Sequence, residues 1–428
     1  MHTVKIGLIG LGTVGGGVID ILSRHHDDFC RHFDLDLRLV RVADRNTKRF
    51  AQLGLDPAIC TDDAFAVTGD PEVEIVIELI GGTGVARDVV VAALAAGKRV
   101  VTANKALMAT SGHELLKTAE AQGLELRFEA SVGGGIPIIE PLKHALTANK
   151  ISDVLGIVNG TTNYMLTNMA ERGLSYDEAL AEAQALGYAE ADPSADVDGL
   201  DAAAKIALLA SIVFHSTVTL DQVHAEGIRD LCSTDVSYAA QMGYAIKLLA
   251  IARMTDGGID IRVHPTMIPA KHQLAAVSGV YNAIYVTGDA VGDVMFFGEG
   301  AGAGAAASAV VGDVIEAARA LSSNNTVVGC TCTDEVAIRP ISELETCYYL
   351  RMIVDDKSGV LARMTAVFAA HEVSLSSIMQ QGVAKDGTAE IIYVTHRARE
   401  ADIRAIIGEL EALDVVKSIA ALIRVEAL

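Results

Sequence analysis

Basic residues are scarce in this chain: 34 lysines and arginines stand against 55 aspartates and glutamates, a formal charge of −21 over 428 residues. Nucleic acids and anionic membrane surfaces both demand basic patches, so neither is an expected partner, and the acidity is read as solubility. Apolar residues make up 51% of the sequence, yet no run reaches the roughly 20 consecutive residues that a membrane-spanning helix needs. The opening MHTVKIGLIGLG has no basic region ahead of a cleavable apolar core, which argues against a signal peptide. Cysteine is sparse as well, with six residues of which only Cys330 and Cys332 are close together, so no disulfide framework is expected. Their Cys-Thr-Cys spacing has one intervening residue where zinc knuckles have about two to four, and a metal site is not indicated. Reduced thiols in a cytoplasm are the simplest account.

What is present is first a strand–helix alternation. VKIGLIG and LDLRLVRVAD read as strands, with a glycine turn and the helix GTVGGGVIDILSRH between them. VEIVIELIG and KRVVTAN are further apolar strands around the helix VARDVVVAALAAG. This order implies an α/β fold, a parallel Rossmann-type sheet covered on both faces, over residues 1–130. Alanine-rich helices and polar loops follow over 131–302, an α+β texture. The glycine-dense FGEGAGAG then feeds a long helix near 303–321 that is expected to complete the first domain. Residues 322–345 are polar and irregular and read as a linker. From 346 to 428 the pattern restarts as βαββαβ, a small split sandwich able to fold alone.

Gly10-x-Gly12-x-x-Gly15 lies directly between the first strand and its helix. Gly10 permits the tight turn, Gly12 lets a pyrophosphate approach, and Gly15 allows close packing, with the phosphates at the helix N-terminus. In this context the motif is a strong dinucleotide signature. At the end of the second strand, Asp44 suits a ribose 2′-hydroxyl and Arg45 a 2′-phosphate, so NAD and NADP both stay open.

The second signal is acidic. ALGYAEADPSADVDGLDAAAK holds Glu190, Asp192, Asp196, Asp198 and Asp201, then delivers Lys205 one helical turn after Asp201. Asp198 suits an N-cap, while Asp192 and Asp196 read as loop or supporting acids. A carboxylate cluster fits a substrate with an ammonium and a hydroxyl, and a lysine beside it can deliver a proton to an oxygen gaining charge. An exposed ion pair at a helix end explains the same spacing equally well. Lys105, in TANK, sits at a strand end, the edge where α/β ligands bind. NGTTNYML offers Asn159, Thr161 and Thr162 as donors or caps.

Taken in order, GLGTVGGGV, VIELIGG, VTANKAL, FEASVGGGIPII, NGTTNYML, LGYAEADPSADVDGLDAAAK and FGEGAGAG closely resemble the homoserine dehydrogenases over nearly the whole chain. The tail resembles an ACT domain through DDKSGVLARM. The resemblance implies NAD(P)-dependent interconversion of L-homoserine and L-aspartate 4-semialdehyde, in threonine and methionine biosynthesis. It implies Lys205 as proton donor and acceptor, with Lys105 beside nicotinamide and substrate. It gives Glu190 and Asp201 as homoserine-binding carboxylates, with Thr161 as a further substrate contact. Cofactor positions become Gly10, Leu11, Gly12, Thr13, Val14, Gly15, Asp44, Arg45, Lys105, Gly187, Glu190 and Gly302. Glu129 with the carbonyls of Val132, Gly134 and Ile136 matches a sodium site. A homodimer or homotetramer and an amino-acid effector such as L-threonine complete what the family implies. Ala305 and Ala306 stand where the family has Pro-Thr, and Ser358 replaces a proline of the ACT loop.

Two rival functions fit the sequence less well. Phosphorylating oxidation of the aldehyde needs a cysteine nucleophile, and no cysteine lies in a recognisable nucleophile turn. A pure amino-acid sensor has no use for a lysine–carboxylate constellation in its middle domain.

Overall fold

A computed structural model describes residues 1–322, 329–383 and 387–426. The chain divides into two units, each assembled from three stretches: 1–158, 204–222 and 281–336 form the first, and 159–203, 223–280 and 337–428 the second.

In the first unit, β1 (His2–Ile9), β2 (Leu35–Ala43), β3 (Cys60–Thr61), β4 (Ile75–Glu78), β5 (Arg99–Thr102) and β6 (Leu126–Arg127) form one sheet in the order β3-β2-β1-β4-β5-β6. All its ladders are parallel. The reversal of direction between β1 and β4 places a crevice at the carboxyl ends of the strands, where dinucleotides bind in this topology. Val4, Ile6, Leu8, Ile75, Ile77 and Val101 fill the sheet's core, buried on both faces as a parallel sheet requires. The helix Ala303–Ser322 packs into that core through Val310, Val311 and Val314. Three antiparallel strands, Ile151–Ile157, Tyr281–Gly288 and Gly292–Glu299, form a separate ladder of this unit.

The second unit pairs Tyr244–Thr255 with Gly258–Pro269 as a long antiparallel hairpin. The tail forms the expected βαββαβ sandwich, with helices Val360–Ala370 and Glu400–Glu411 over the strands Glu345–Asp355, Leu375–Val383, Thr388–Thr395 and Val416–Val425. It is not a free appendage, because Val416–Val425 pairs in parallel with Gly258–Pro269 at Thr266 and Met267. Arg351 clamps Asp235 through bonds of 2.6 and 2.9 Å, and the Tyr349 hydroxyl donates to the same carboxylate at 2.9 Å. The segment expected as a linker is likewise tied down where it is described. In the first unit the Asp334 amide donates to the His215 carbonyl at 2.9 Å. In the second, Ile259 and Ala337 share a backbone bond of 2.8 Å. Its partners are distant in sequence, so its irregular composition gave no sign of them. Residues 323–328 of that expectation lie outside the described residues.

Arg424 is a buried charge engaged on both sides. It donates to Glu226 at 2.7 and 2.9 Å and to Glu400 at 2.7 and 2.9 Å while only 2% exposed. Burial alone would raise Glu226, but hydrogen bonds from His224 and Arg424 and the Arg424 charge hold it well below the usual carboxylate range. Arg424→Met should destabilise the protein by about 1–3 kcal/mol at neutral pH, because the buried Glu400 and the half-buried Glu226 each lose two hydrogen bonds and a countercharge while keeping Arg404. A carboxylate whose folded value is depressed stabilises the fold above its ordinary value and loses that contribution as pH falls. The gap between variant and parent in urea titrations should therefore hold above pH 4.5 and shrink below it.

Candidate active site

The glycine turn is built from contacts that only glycine tolerates. Gly10 adopts φ +100°, and a Cβ there would lie 2.5 Å from the Leu79 carbonyl oxygen. A methyl on Gly15 would collide with the Gly10 carbonyl, so the turn closes on itself there. Gly17, outside the motif, brings the helix Thr13–Arg24 against Ala303, whose carbonyl oxygen would be 2.6 Å from an added Cβ. Gly12 has nothing within 4 Å of its Cβ position, leaving an open cradle. The helix it begins has no side-chain cap and no acid in its first turn, so the amides and the positive end of the dipole are offered to an anion. A cavity of about 520 Å³ opens beside it, lined by Gly10, Gly12, Asp44, Arg45, Ile80 and Val85 among others.

Asp44 braces this turn: its carboxylate accepts from the Leu11 amide and, at 2.7 Å, from the Asn46 amide. Arg49 pins the other side of the same residue, donating to the Leu11 carbonyl at 2.9 Å. Arg45 is exposed on the cavity wall. Lys105 begins the helix Lys105–Ala121 directly after β5, exposed at the sheet's carboxyl edge. Asn104 caps that helix through the Leu107 amide at 3.1 Å and donates to the Gly82 carbonyl at 2.7 Å. Gly302, at φ +124°, immediately precedes Ala303–Ser322.

Asp201 and Lys205 both lie on the helix Leu200–Val213 and are only 6% and 8% exposed, so the surface ion pair is excluded. In the first unit the Lys205 Nζ donates to the Val158 carbonyl at 2.7 Å. In the second, the Asn159 side-chain amide donates to Asp201 at 2.9 Å and to Asp196 at 2.7 Å. The Asn159 oxygen meanwhile accepts from the amide of Thr162, capping the helix Gly160–Arg172. Asn159 was legible as a cap; its hold on two acids was not, because they lie 37 and 42 residues away. The Thr161 hydroxyl donates to the Tyr188 carbonyl at 2.7 Å and so steadies the turn that carries Gly187, at φ +77°, and the exposed Glu190. Asp198, expected as an N-cap, instead pairs with Arg229, because that guanidinium is a stronger partner than a backbone amide.

Glu129 is engaged within its own loop. Its carboxylate accepts from the amides of Ile138, Ile139 and Glu140 at 2.5, 2.8 and 2.7 Å, so it caps a turn. Its own amide donates to Asp313, a carboxyl that burial pushes up to about 8. Val132, Gly134 and Ile136 follow in the same loop, with Gly134 at φ +62° pressed against the Gly300 carbonyl. A further cluster belongs to no expected site. His113, on the Lys105 helix, has its Nδ1 3.5 Å from Cys330 Sγ. Contact with Cys332 and then His113, against an opposing effect of burial, holds the Cys330 thiol down to about 5.

A parallel sheet with an unblocked glycine turn, a buried lysine and paired carboxylates, together with a C-terminal βαββαβ sandwich, define a nicotinamide-dependent oxidoreductase with an attached ACT domain. Comparison with known proteins narrows this. Three family models match: "Homoserine dehydrogenase, NAD binding domain" over residues 10–129, "Homoserine dehydrogenase" over 137–315 and "ACT domain" over 348–415. The homoserine dehydrogenase of Synechocystis is 46% identical over 99% of both chains, and that of Pseudomonas aeruginosa 43% over 100% of both. A solved homoserine dehydrogenase from Thiobacillus denitrificans superposes with a TM-score of 0.94 at 42% identity, covering 100% of this chain and 99% of that one. A hyperthermophilic archaeal homoserine dehydrogenase solved with NADPH gives 0.65 at 26%, covering 76% of this chain and 100% of that one. The chain belongs to the homoserine dehydrogenase family and is an NAD(P)-dependent oxidoreductase.

Gly15→Ala tests the cradle. Forcing a methyl against the Gly10 carbonyl should cost about 1–3 kcal/mol of dinucleotide binding, read by fluorescence titration with NADPH; unchanged affinity would show that the turn can relax.

Proposed function

We propose that this chain interconverts L-homoserine and L-aspartate 4-semialdehyde, with 1–130 and the 303–321 helix holding the dinucleotide and 131–302 the amino acid. The observation that carries the reading is the buried Lys205 amine, fixed by the Val158 carbonyl on the helix that also bears Asp201. Bound NAD(P) supplies or accepts the hydride. The open cradle at Gly12 and the uncapped amides of Thr13 and Val14 suit its pyrophosphate. In the reducing direction the aldehyde oxygen gains charge, and Lys205 delivers a proton to it; in the oxidising direction the same amine takes the hydroxyl proton. Glu190 and Asp201 hold the substrate ammonium. Asn159 and Thr161 keep those acids in place, and Lys105 is the second candidate for proton transfer.

The dinucleotide is proposed to be NADP rather than NAD, because Asp44 is engaged by two backbone amides while Arg45 remains an exposed cation on the cavity wall. For sodium, the proposed ligands are Glu129 with the carbonyls of Val132, Gly134 and Ile136, which follow it in the same loop. A homodimer or homotetramer is supported by the exposed Tyr281, Met295 and Phe297 on neighbouring strands. The ACT domain is proposed to take L-threonine as a feedback effector, and the enzyme to serve threonine and methionine synthesis in the cytoplasm.

Lys205→Met should cut kcat about a hundred- to ten-thousand-fold in either direction while NADPH affinity stays at the parent value. Parent-like turnover in that variant would overturn the assignment. Arg45→Ala should raise KM for NADPH about ten- to a hundred-fold, the worth of a charge-assisted contact, and leave KM for NADH unchanged; equal losses with both would remove Arg45 from 2′-phosphate recognition.

A further inference from the structure

Away from the glycine turn and the lysine–carboxylate site, the first unit gathers three soft ligands from remote parts of the chain. His113 comes from the middle of the helix Lys105–Ala121, and Cys330 and Cys332 from the segment 217 residues further on. Their ligand atoms all lie within 4.8 Å of one another, and His113 Nδ1 is 3.5 Å from Cys330 Sγ. Tetrahedral zinc with Zn–S of about 2.3 Å and Zn–N of about 2.0 Å sets its sulfur and nitrogen ligands about 3.5 Å apart and two sulfurs about 3.8 Å apart. The observed spacing needs little adjustment to meet that geometry.

We propose that His113, Cys330 and Cys332 form a binding site for a soft divalent cation of the zinc class. Two thiolates and an imidazole match the ligand preference of zinc, and the short Cys-Thr-Cys step is no obstacle once the third ligand comes from another element. The fourth position goes to water. A cavity of about 70 Å³ adjoins the three ligands, lined also by Gly112, Ser211 and Thr217, and it has room for that water. Both cysteines bind as thiolates, which neutralise the charge of the cation. The scaffold is already fixed without metal. Cys332 Sγ lies 3.4 Å from the Ser211 carbonyl, on the helix that carries Lys205, and Val336 and Asp334 are bonded to Ser216 and His215. A cation here would staple residues 329–332 to the helix that carries Lys105, and so would be structural rather than catalytic.

The test uses the full chain, purified under reducing conditions, stripped with chelator and titrated with zinc alone and with cobalt(II) alone. One zinc per chain should survive gel filtration. Cobalt(II) should give a thiolate charge-transfer band in the near ultraviolet and the intense d–d absorption of tetrahedral coordination. Cys332→Ser and His113→Gln should each lose both signals while NADPH affinity, which reports folding, is retained. The proposal is overturned by a reduced chain that retains no zinc, by an octahedral cobalt spectrum, or by binding that survives both substitutions. It is equally overturned if the reduced chain ignores metal and mild oxidation removes two hydrogens from its mass, which would make the cysteines a disulfide pair.

Discussion

An amine taken out of water must be met by oxygen, and Lys205 meets that demand with the Val158 carbonyl. The same requirement recurs wherever this chain buries charge. Glu129 is answered by three amides, Asp235 by Arg351 and Tyr349, and Arg424 by two glutamates. Each arrangement fixes a side chain in direction as well as in place, because the penalty for an unpaired buried charge exceeds what any alternative rotamer could recover. Chemistry that depends on a proton at one point in space can use a group held in this way. A surface lysine, free to sample its rotamers, would offer the same charge without the aim.

Some of this was plain in the residues alone. The strand, glycine turn and helix at the N-terminus follow from local sequence, since the turn residues and the apolar period lie side by side. The tail's βαββαβ order was legible for the same reason, each element carrying its own period. The Asp201–Lys205 spacing was legible as geometry but ambiguous as chemistry, because helical periodicity gives direction and says nothing about burial. What stayed hidden was non-local. Asn159 joins Asp196 and Asp201 across a whole helical pair, Asp198 turns to Arg229, and Glu129 spends its oxygens on amides later in its own loop. The motif of three glycines also understated its neighbourhood, for Gly17 proves as restricted as Gly15.

The tail shows how a module recognisable by pattern can be wired to its host. Tyr238 donates to Glu390 at 2.7 Å, Asp235 binds Arg351, and Glu226 binds Arg424, so three contacts join the sandwich to elements of the second unit's middle stretch. Two of the three are between full charges, and the Asp235–Arg351 pair has little access to water. A ligand that altered the sandwich would act on these pairs directly, with no need for a long chain of intermediates.

The interleaved makeup of the two units bears on how the polypeptide reaches its final state. Neither unit can be finished from a contiguous segment, since the first awaits the helix Ala303–Ser322 and the second awaits the strand Val416–Val425. During synthesis the N-terminal sheet therefore emerges with the apolar face that Val310 and Val314 will cover still bare for about two-fifths of the chain's length. Closing such distant pairs is slow and leaves sticky intermediates. Cutting the gene at an apparent domain border would reproduce that unfinished intermediate rather than liberate a stable part.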